Sequence, residues 1–143
     1  MIKYKKLNPF NSFGLYRFLK NNKDEFFTPH KFDYLTILKN CFNKDIYIIQ
    51  LIDKKIVGYG MLRGWEEGYE IPILGIIIDK NYRGMGLSKD LMNFLHNIAR
   101  TKGSIKVMLK VYKNNIVAIN LYKKCNYEFT DYNNELLVGY KTI

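Results

Sequence analysis

The stretch of residues 73–95, which reads ILGIIIDKNYRGMGLSKDLMNFL, decides the fold of this chain. It opens with a β-branched run that predicts a buried strand ending at Asp79. A polar turn with two glycines, residues 81–86, leads directly into an amphipathic helix. Glycines let the backbone approach a ligand closely, and the first amides of a helix have no intrahelical partner. With the helix dipole, they predict a site for a phosphate-bearing ligand, beside which Arg83 supplies positive charge.

The two commonest nucleotide-binding motifs do not fit this turn. It lacks the third glycine of the dinucleotide fingerprint, and no acidic residue follows at the spacing of a ribose contact. It also lacks the Gly-Lys-Ser/Thr ending of a P-loop. A glycine turn that binds nothing would look the same, so a second segment is needed to choose.

Residues 111–129, VYKNNIVAINLYKKCNYEF, supply that segment. They predict the end of a strand, a loop, a short helix and the start of another strand. Taken with the glycine turn, they resemble the GNAT family of N-acetyltransferases, whose acetyl-coenzyme A loop has the form Gln/Arg-x-x-Gly-x-Gly/Ala. Residues 81–86 match it, although Asn81 departs from the usual Gln or Arg. The resemblance extends from about Asp45 to the C-terminus.

The later signature of the family is Asn-x-x-Ala-x-x-Leu-Tyr-x-x-x-Gly-Phe. It maps onto Asn115, Ala118, Leu121 and Tyr122, about thirty residues after the glycine turn. The terminal Gly-Phe is replaced by residues 126–127, Asn-Tyr. Asn tolerates the left-handed backbone that Gly usually supplies, so we expect this part of the chain to keep its shape.

The resemblance implies an α/β (α+β) fold with a central, mixed, mainly antiparallel sheet that splays at an acetyl-coenzyme A cleft. Acetyl-coenzyme A would be the cosubstrate, with no metal, and its pantetheine arm would pair with main-chain groups of Ile76 and Ile78 as an added strand. The cofactor-binding residues would be Ile76, Ile77, Ile78, Arg83, Gly84, Met85, Gly86, Leu87, Ser88, Asn115 and Tyr122.

Acetyl transfer requires three chemical roles. The carbonyl oxygen needs an amide aimed at it, and Ile77 or Ile78 is the candidate. The departing thiolate needs a proton donor; in the family this is the Tyr of the later motif, here Tyr122, whose phenol is protonated at neutral pH. The amine needs a base, and the predicted residue is Glu70, although Glu66 and Glu67 occupy the same connection.

The two histidines receive different predictions. His30 follows Pro29 in the loop between the first two helices, which overhangs the acceptor pocket in this fold, so it is a second candidate base or a ligand of the acceptor; its alternative role is to cap the following helix. His96 is predicted at the surface, on the polar side of the long helix. The two cysteines are expected to be reduced thiols without a catalytic role.

Composition agrees with one domain, residues 1–143. The chain is 48% hydrophobic and 15% aromatic, with no apparent signal sequence and no apolar run long enough to span a bilayer. We therefore expect a cytoplasmic protein that does not bind membranes. Its net charge of +10 is scattered along the chain rather than gathered into a stripe, which favours a polyanionic small ligand such as coenzyme A over a nucleic acid.

Apolar periodicity predicts the element order βααβββαβαββ. Residues 53–54 form a hairpin turn, and Gly103 caps the long helix. The predicted strands are residues 2–7, 45–52, 55–62, 70–78, 105–111, 127–130 and 135–141; the predicted helices begin near residue 11, include residues 32–38 and 117–122, and span residues 86–102.

The sequence therefore predicts an N-acetyltransferase, a monomer or homodimer, that acts by direct transfer to a small-molecule primary amine. An amino sugar or its nucleotide conjugate is favoured, since residues 26–32 and 63–70 offer Phe26, Phe27, His30, Trp65 and Tyr69 as aromatic walls beside Arg63 and three carboxylates. Polyamines and protein N-termini are alternatives. A coenzyme A-binding module without catalysis and a basic nucleic-acid-binding domain remain as contrasting functions.

Overall fold

Seven strands form one sheet and four helices cover it in the computed structural model, which describes residues 1–143. The order βααβββαβαββ is confirmed, with one 3-10 turn added at Lys80–Tyr82. The bounds are β1 Ile2–Lys6, α1 Ser12–Asn21, α2 Tyr34–Asn40, β2 Ile46–Ile52, β3 Lys55–Arg63, β4 Ile73–Ile78, α3 Leu87–Thr101, β5 Lys106–Tyr112, α4 Ile116–Lys124, β6 Glu128–Asp131 and β7 Leu136–Thr142.

The sheet has the order β1-β2-β3-β4-β5-β7-β6, and only β4 and β5 run parallel. β4 pairs with β3 along its whole length. With β5 it pairs only where Ile73 meets Met108, next to a bond from the Met108 amide to the Pro72 carbonyl. The two strands diverge beyond that point, which confirms the predicted splay in a mainly antiparallel sheet.

Each face of the sheet carries its own apolar core. On one face, α3 and α4 bury Leu91, Leu95 and Ile119. On the other, α1 and α2 bury Leu15 and Ile37. Each fully buried side chain of this size contributes about 1.5–3 kcal/mol relative to exposure, so both cores hold the central strands from either side.

The long helix α3 packs very close to the sheet. A Cβ at Gly60 would lie 2.8 Å from Leu95 Cδ1, so a larger residue there would require the leucine side chains of α3 to shift. At the other end, Gly103 has φ +87° and Ser104 donates its amide to the Ala99 carbonyl. The predicted C-terminal cap is therefore confirmed, and α3 is fixed along its whole length.

Two short connections differ in how well they were predicted. Asp53 and Lys54 both have positive φ, 48° and 70°, as a two-residue hairpin turn requires, so that prediction is confirmed. The strand predicted to begin at residue 70 begins at Ile73 instead. The amides of Glu67 and Tyr69 both donate to the Gly64 carbonyl, and these tight turns delay the strand by three residues.

Candidate active site

The glycine turn presents a row of free backbone amides. Asp90 makes the first hydrogen bond of α3, to the Gly86 carbonyl, and no amide from Gly84 to Ser88 donates within the protein. Gly84 and Gly86 both have φ +79°, and a Cβ at either would meet nothing within 4 Å. The loop is thus an open run of free amides at a helix N-terminus, the arrangement that binds phosphate.

The buried pair Asn22 and Asp79 supports this loop from below. The Asn22 side chain accepts a hydrogen bond from the Lys80 amide and donates to Asp79 Oδ2. Asp79 Oδ1 in turn accepts from the Asn81 amide at 2.8 Å. The end of α1 is therefore bonded to the start of the loop. Sequence reasoning missed this role, because an Asn at the end of a predicted helix gives no signal of a partner 57 residues away.

The open edge of β4 leads directly to the loop. The bond from the Asp79 amide to the Val57 carbonyl continues the ladder with β3. Hydrogen-bonded and non-bonded pairs alternate in an antiparallel ladder, so odd-numbered residues of β4 bond to β3 and even-numbered residues face β5. Since β5 has diverged, the backbone groups of Ile76 and Ile78 point into the gap without a strand partner.

This alternation distinguishes the two amides that the sequence offered for the carbonyl oxygen. Ile77 is paired with Tyr59 across the β3 ladder, so its amide is bonded inside the sheet and is not aimed into the gap. Its side chain lies in the core beneath α1 and α2, whereas Ile78 belongs to the other core. Of the two candidate amides for the carbonyl oxygen, only that of Ile78 faces the gap.

Arg83 crosses the end of the gap. Its Nε donates to the Ile78 carbonyl at 3.3 Å, and its guanidinium lies 3.5 Å from the Asp24 carboxylate. The side chain is 54% exposed, so it is free to swing toward a ligand. Arg83 therefore lies beside both the open strand and the phosphate loop, where the sequence predicted positive charge.

Tyr122 lies on α4 with its ring between two other aromatic rings. Tyr127 is 5.9 Å away and Phe129 6.5 Å, both as centroid separations. Its hydroxyl has no protein hydrogen-bond partner. Burial raises the pKa of Tyr122 to about 12, so the phenol holds its proton throughout the neutral range.

Asn115, also in the predicted cofactor set, accepts a hydrogen bond from the Ala118 amide and caps α4.

The structure contradicts the surface position predicted for His96. The residue is 3% exposed, and its Nε2 lies 2.7 Å from the Tyr127 hydroxyl, which is equally buried. Burial, helped by Lys141 and Arg100, lowers the pKa of His96 to about 4. The prediction was wrong because the Tyr that replaces the family's Phe offers a buried polar partner. Asn126 has φ +69°, which confirms its left-handed turn.

His30 is bonded inside the protein rather than free above a pocket. Its Nδ1 lies 2.7 Å from the Lys31 carbonyl and its Nε2 2.8 Å from the Tyr59 hydroxyl. Burial is the main reason that its pKa is lowered. Both ring nitrogens are therefore occupied, and the ring would have to rotate to accept a proton from a substrate. Asp33, not His30, caps α2.

A pocket of about 290 Å³ opens where β3 and β4 meet the connection between them. Glu67 is the carboxylate that lines it, beside Arg63 and Tyr69. Glu70 was expected to enter the central strand, but it lies in an exposed bend before β4 and does not line the pocket. Glu66 is engaged elsewhere, accepting from the Lys44 amide at 2.6 Å.

Most of the predicted aromatic walls also lie elsewhere. Trp65 packs against the α3 core, with the Lys102 ammonium 5.5 Å from its ring. Phe27 is buried in the core under α1 and α2, and Phe26 packs on Tyr112 at 5.8 Å. Of the five aromatic residues predicted to wall the acceptor pocket, only Tyr69 lines the cavity between β3 and β4.

Comparison with known proteins agrees with this geometry. Residues 15–127 match the acetyltransferase (GNAT) family. The chain therefore belongs to that family, whose members are acyltransferases. Its residues are 36% identical over a 62-residue stretch to a Bacillus subtilis subsp. natto protein named "Probable spermine N(1)-acetyltransferase". That stretch covers 41% of this chain and 41% of the relative, less than half of either.

Solved structures show the same fold at low identity. The PaiA N-acetyltransferase of Thermoplasma acidophilum, solved with coenzyme A, superposes with a TM-score of 0.87 and 14% identity, over 100% of this chain and 99% of that one. The ribosomal-protein-S18-alanine N-acetyltransferase of Escherichia coli gives a TM-score of 0.80 at 16% identity, over 100% and 94%. At these identities the likeness establishes the fold alone.

None of the helices combines the length and apolarity needed to cross a bilayer. No three His, Cys, Asp or Glu side chains are grouped to hold a metal ion.

Proposed function

We propose that this protein is an acetyl-coenzyme A-dependent N-acetyltransferase that transfers the acetyl group directly to a primary amine. The observation that carries the proposal is the continuity between the open edge of β4 and the free amides from Gly84 to Ser88. An extended thiol arm needs the first and a diphosphate needs the second. Coenzyme A has both, joined in that order.

Two residues of the chain would share the chemistry of acyl transfer. Acetyl-coenzyme A would supply the activated acyl group. The Ile78 amide, free on the gap side of β4, would donate to the thioester carbonyl oxygen as it gains charge. Tyr122, protonated because its pKa is raised to about 12, would give its proton to the departing sulfur. Neither step needs a covalent acetyl-enzyme.

For the general base we propose Glu67, acting directly or through water. It is the one carboxylate that lines the pocket between β3 and β4. Glu70 is three residues further along and outside the pocket, and His30 has both nitrogens engaged. A base must come within hydrogen-bond reach of the amine or of a bridging water, and Glu67 is favoured because, of these three, it alone lines the pocket.

For the acceptor we propose a small polyamine ahead of an amino sugar. The case for a sugar depended on several aromatic walls, and only Tyr69 lines the pocket. The connection instead carries three exposed carboxylates, Glu66, Glu67 and Glu70, and local negative charge attracts an amine despite the positive net charge of the chain. The similarity to the Bacillus protein named for spermine supports the same class.

An amino sugar that bears a phosphate remains the second candidate. Arg63 and Tyr69 lie beside Glu67 in the same pocket, so a phosphate, a ring face and an amine would each find a partner there. Arg63 Nη1 already donates to the Pro29 carbonyl, so a phosphate would have to bind through the remaining donors of the guanidinium.

A panel of acceptors tests both levels of the proposal. The full chain and acetyl-coenzyme A are mixed with spermine, spermidine, glucosamine 6-phosphate, a nucleotide-linked amino sugar or a short peptide, and free thiol release is followed. We expect spermine or spermidine to give the highest kcat/KM. Faster turnover of an amino sugar would overturn the acceptor. Tight coenzyme A binding without acceptor-dependent thiol release would make the protein a non-catalytic module. RNA affinity that falls steeply with salt would favour a nucleic-acid-binding function.

A further inference from the structure

The buried pair of His96 and Tyr127 has no role in the chemistry described above. A 2.7 Å hydrogen bond joins His96 Nε2 to the Tyr127 hydroxyl, and both residues are 3% exposed. Buried polar groups of this kind are costly unless paired, and an apolar pair of the same shape would fill the core equally well.

The pair connects directly to the proposed proton donor. The Tyr127 amide donates to the Tyr122 carbonyl at 3.0 Å, and the two rings lie 5.9 Å apart at 59°. Asn126, with φ +69°, makes the reversal that brings Tyr127 back under α4. Because the Tyr122 hydroxyl has no hydrogen-bond partner, the position of its ring depends on its packing against Tyr127 and Phe129.

His96 anchors this arrangement to α3. The same helix begins at Leu87, directly after the phosphate loop, and nine residues at about 1.5 Å each separate the two points along its axis. The helix is capped at its far end and buried along one face. The distance from the phosphate loop to the Tyr127 hydroxyl is therefore set by a rigid element.

We propose that His96 and Tyr127 are positioning residues for Tyr122. Their hydrogen bond holds the Tyr127 ring, and that ring holds the Tyr122 phenol at the place where the thiolate departs. α3 then sets the separation between the bound phosphates and the proton donor. The inference rests on the proposed function, because it requires Tyr122 to act as the acid.

A double-mutant cycle with spermine and acetyl-coenzyme A tests the proposal. Tyr127→Phe removes the hydroxyl and keeps the ring. We expect kcat to fall by about tenfold to a hundredfold, because small misplacements of a reacting group cost this much, while KM for acetyl-coenzyme A changes less than twofold. In the Tyr122→Phe background, Tyr127→Phe should have no further effect. Tyr140→Phe, on the half-exposed Tyr140 of β7, is the matched control and should leave kcat unchanged.

The pair His96→Leu with Tyr127→Phe separates positioning from stability. Because it removes both polar atoms, it should restore the free energy of unfolding and leave kcat low. Recovery of kcat together with stability would overturn the proposal, as would equal effects of Tyr127→Phe with and without Tyr122. If Tyr122→Phe itself left kcat unchanged, the acid role in the proposed function would fail, which is a separate outcome.

A spectroscopic measurement makes the test independent of any acceptor. With coenzyme A bound and tyrosines isotope-labelled at Cζ, the Tyr122 resonance should shift or broaden in Tyr127→Phe and stay unchanged in Tyr140→Phe. An identical Tyr122 resonance in wild type and Tyr127→Phe would overturn the proposal even if no amine were turned over.

Discussion

The Asp24 carboxylate lies 3.5 Å from the Arg83 guanidinium, so the connection between α1 and α2 is tied to the phosphate loop across the end of the gap. Arg83 also donates to the Ile78 carbonyl, one of the groups that an added strand would use. Coenzyme A would compete with both contacts for the same side chain.

Asp24→Asn should therefore tighten coenzyme A binding. Exposed ion pairs contribute at most about 1 kcal/mol, so the dissociation constant should fall by up to about fivefold when Arg83 is released to the phosphates. Calorimetry at low salt measures this. Asp131→Asn breaks the other salt bridge, to Lys113, and should have no effect. Weaker binding by Asp24→Asn would mean that the ion pair holds the loop in its binding shape.

Gly86→Asp should abolish coenzyme A binding, because it places a negative charge where the diphosphate meets the free amides. Gly103→Asp is a matched control: it has a similar left-handed backbone, φ +87° against +79°, and equally open surroundings, at the opposite end of α3. Each substitution should cost roughly 1–2 kcal/mol of stability. Equal coenzyme A affinity in the two variants, by calorimetry, would remove the phosphate loop from the site.

Tyr122→Phe should lower kcat by at least about a hundredfold with little change in coenzyme A affinity, because the hydroxyl acts only as the sulfur leaves. Steady-state thiol release with a saturating acceptor and a binding titration give the two values. Tyr132→Phe, on the exposed Tyr132, serves as the control. An unchanged rate under conditions where chemistry limits would exclude Tyr122 as the acid.

Glu67→Gln should raise KM for spermine by up to about fivefold, the range of an exposed charge contact, and should lower kcat because the base is lost. Glu70→Gln removes an equal charge from the same connection but outside the pocket, so it should change either value much less. If Glu70→Gln proved the more damaging variant, the base would be Glu70, as the sequence alone suggested.

The stability of the protein should fall with acidity partly because of His96. Its pKa is lowered from 6.5 to about 4 in the folded state, so the unfolded chain binds the proton first as pH falls below about 6.5. The associated loss in the free energy of unfolding should reach roughly 2.5 kcal/mol by pH 4.5. Denaturant unfolding of wild type and of the variant pairing His96→Leu with Tyr127→Phe, at pH 7.5 and 4.5, measures the difference. If the free energy of unfolding fell by the same amount between pH 7.5 and 4.5 in both proteins, His96 would not be a buried neutral imidazole.

The fold could be predicted because its signals are local. Periodic apolar residues, the capping Gly103 and the turn at residues 53–54 each act within a few positions. The phosphate loop could be read in the same way, since a glycine turn before a helix leaves its amides free whatever surrounds it. These features do not depend on which distant residues meet.

The remainder of the site depends on contacts between residues that are far apart in the sequence and on the direction of side chains after irregular turns. Glu66, Glu67 and Glu70 are nearly equivalent in the sequence, and only the turns around Gly64 put one of them in the pocket. Trp65 follows Gly64 directly, yet its side chain packs against the core under α3 and does not line the pocket. The neighbours of His96 in the sequence predicted a surface position on α3, because its partner Tyr127 is 31 residues away. A local sequence pattern does not show which way a side chain points after an irregular turn. It also does not show which distant polar residues pair.

The single pairing between β4 and β5 has a consequence for the stability of the sheet. Because only Ile73 and Met108 pair, the sheet consists of two plates, one of four strands and one of three, that are joined at one point. We expect a bound pantetheine arm to act as an eighth strand that fills part of the opening. Because a ligand that binds only the folded state raises stability with its concentration, the supply of coenzyme A would set how firmly the two plates are held together.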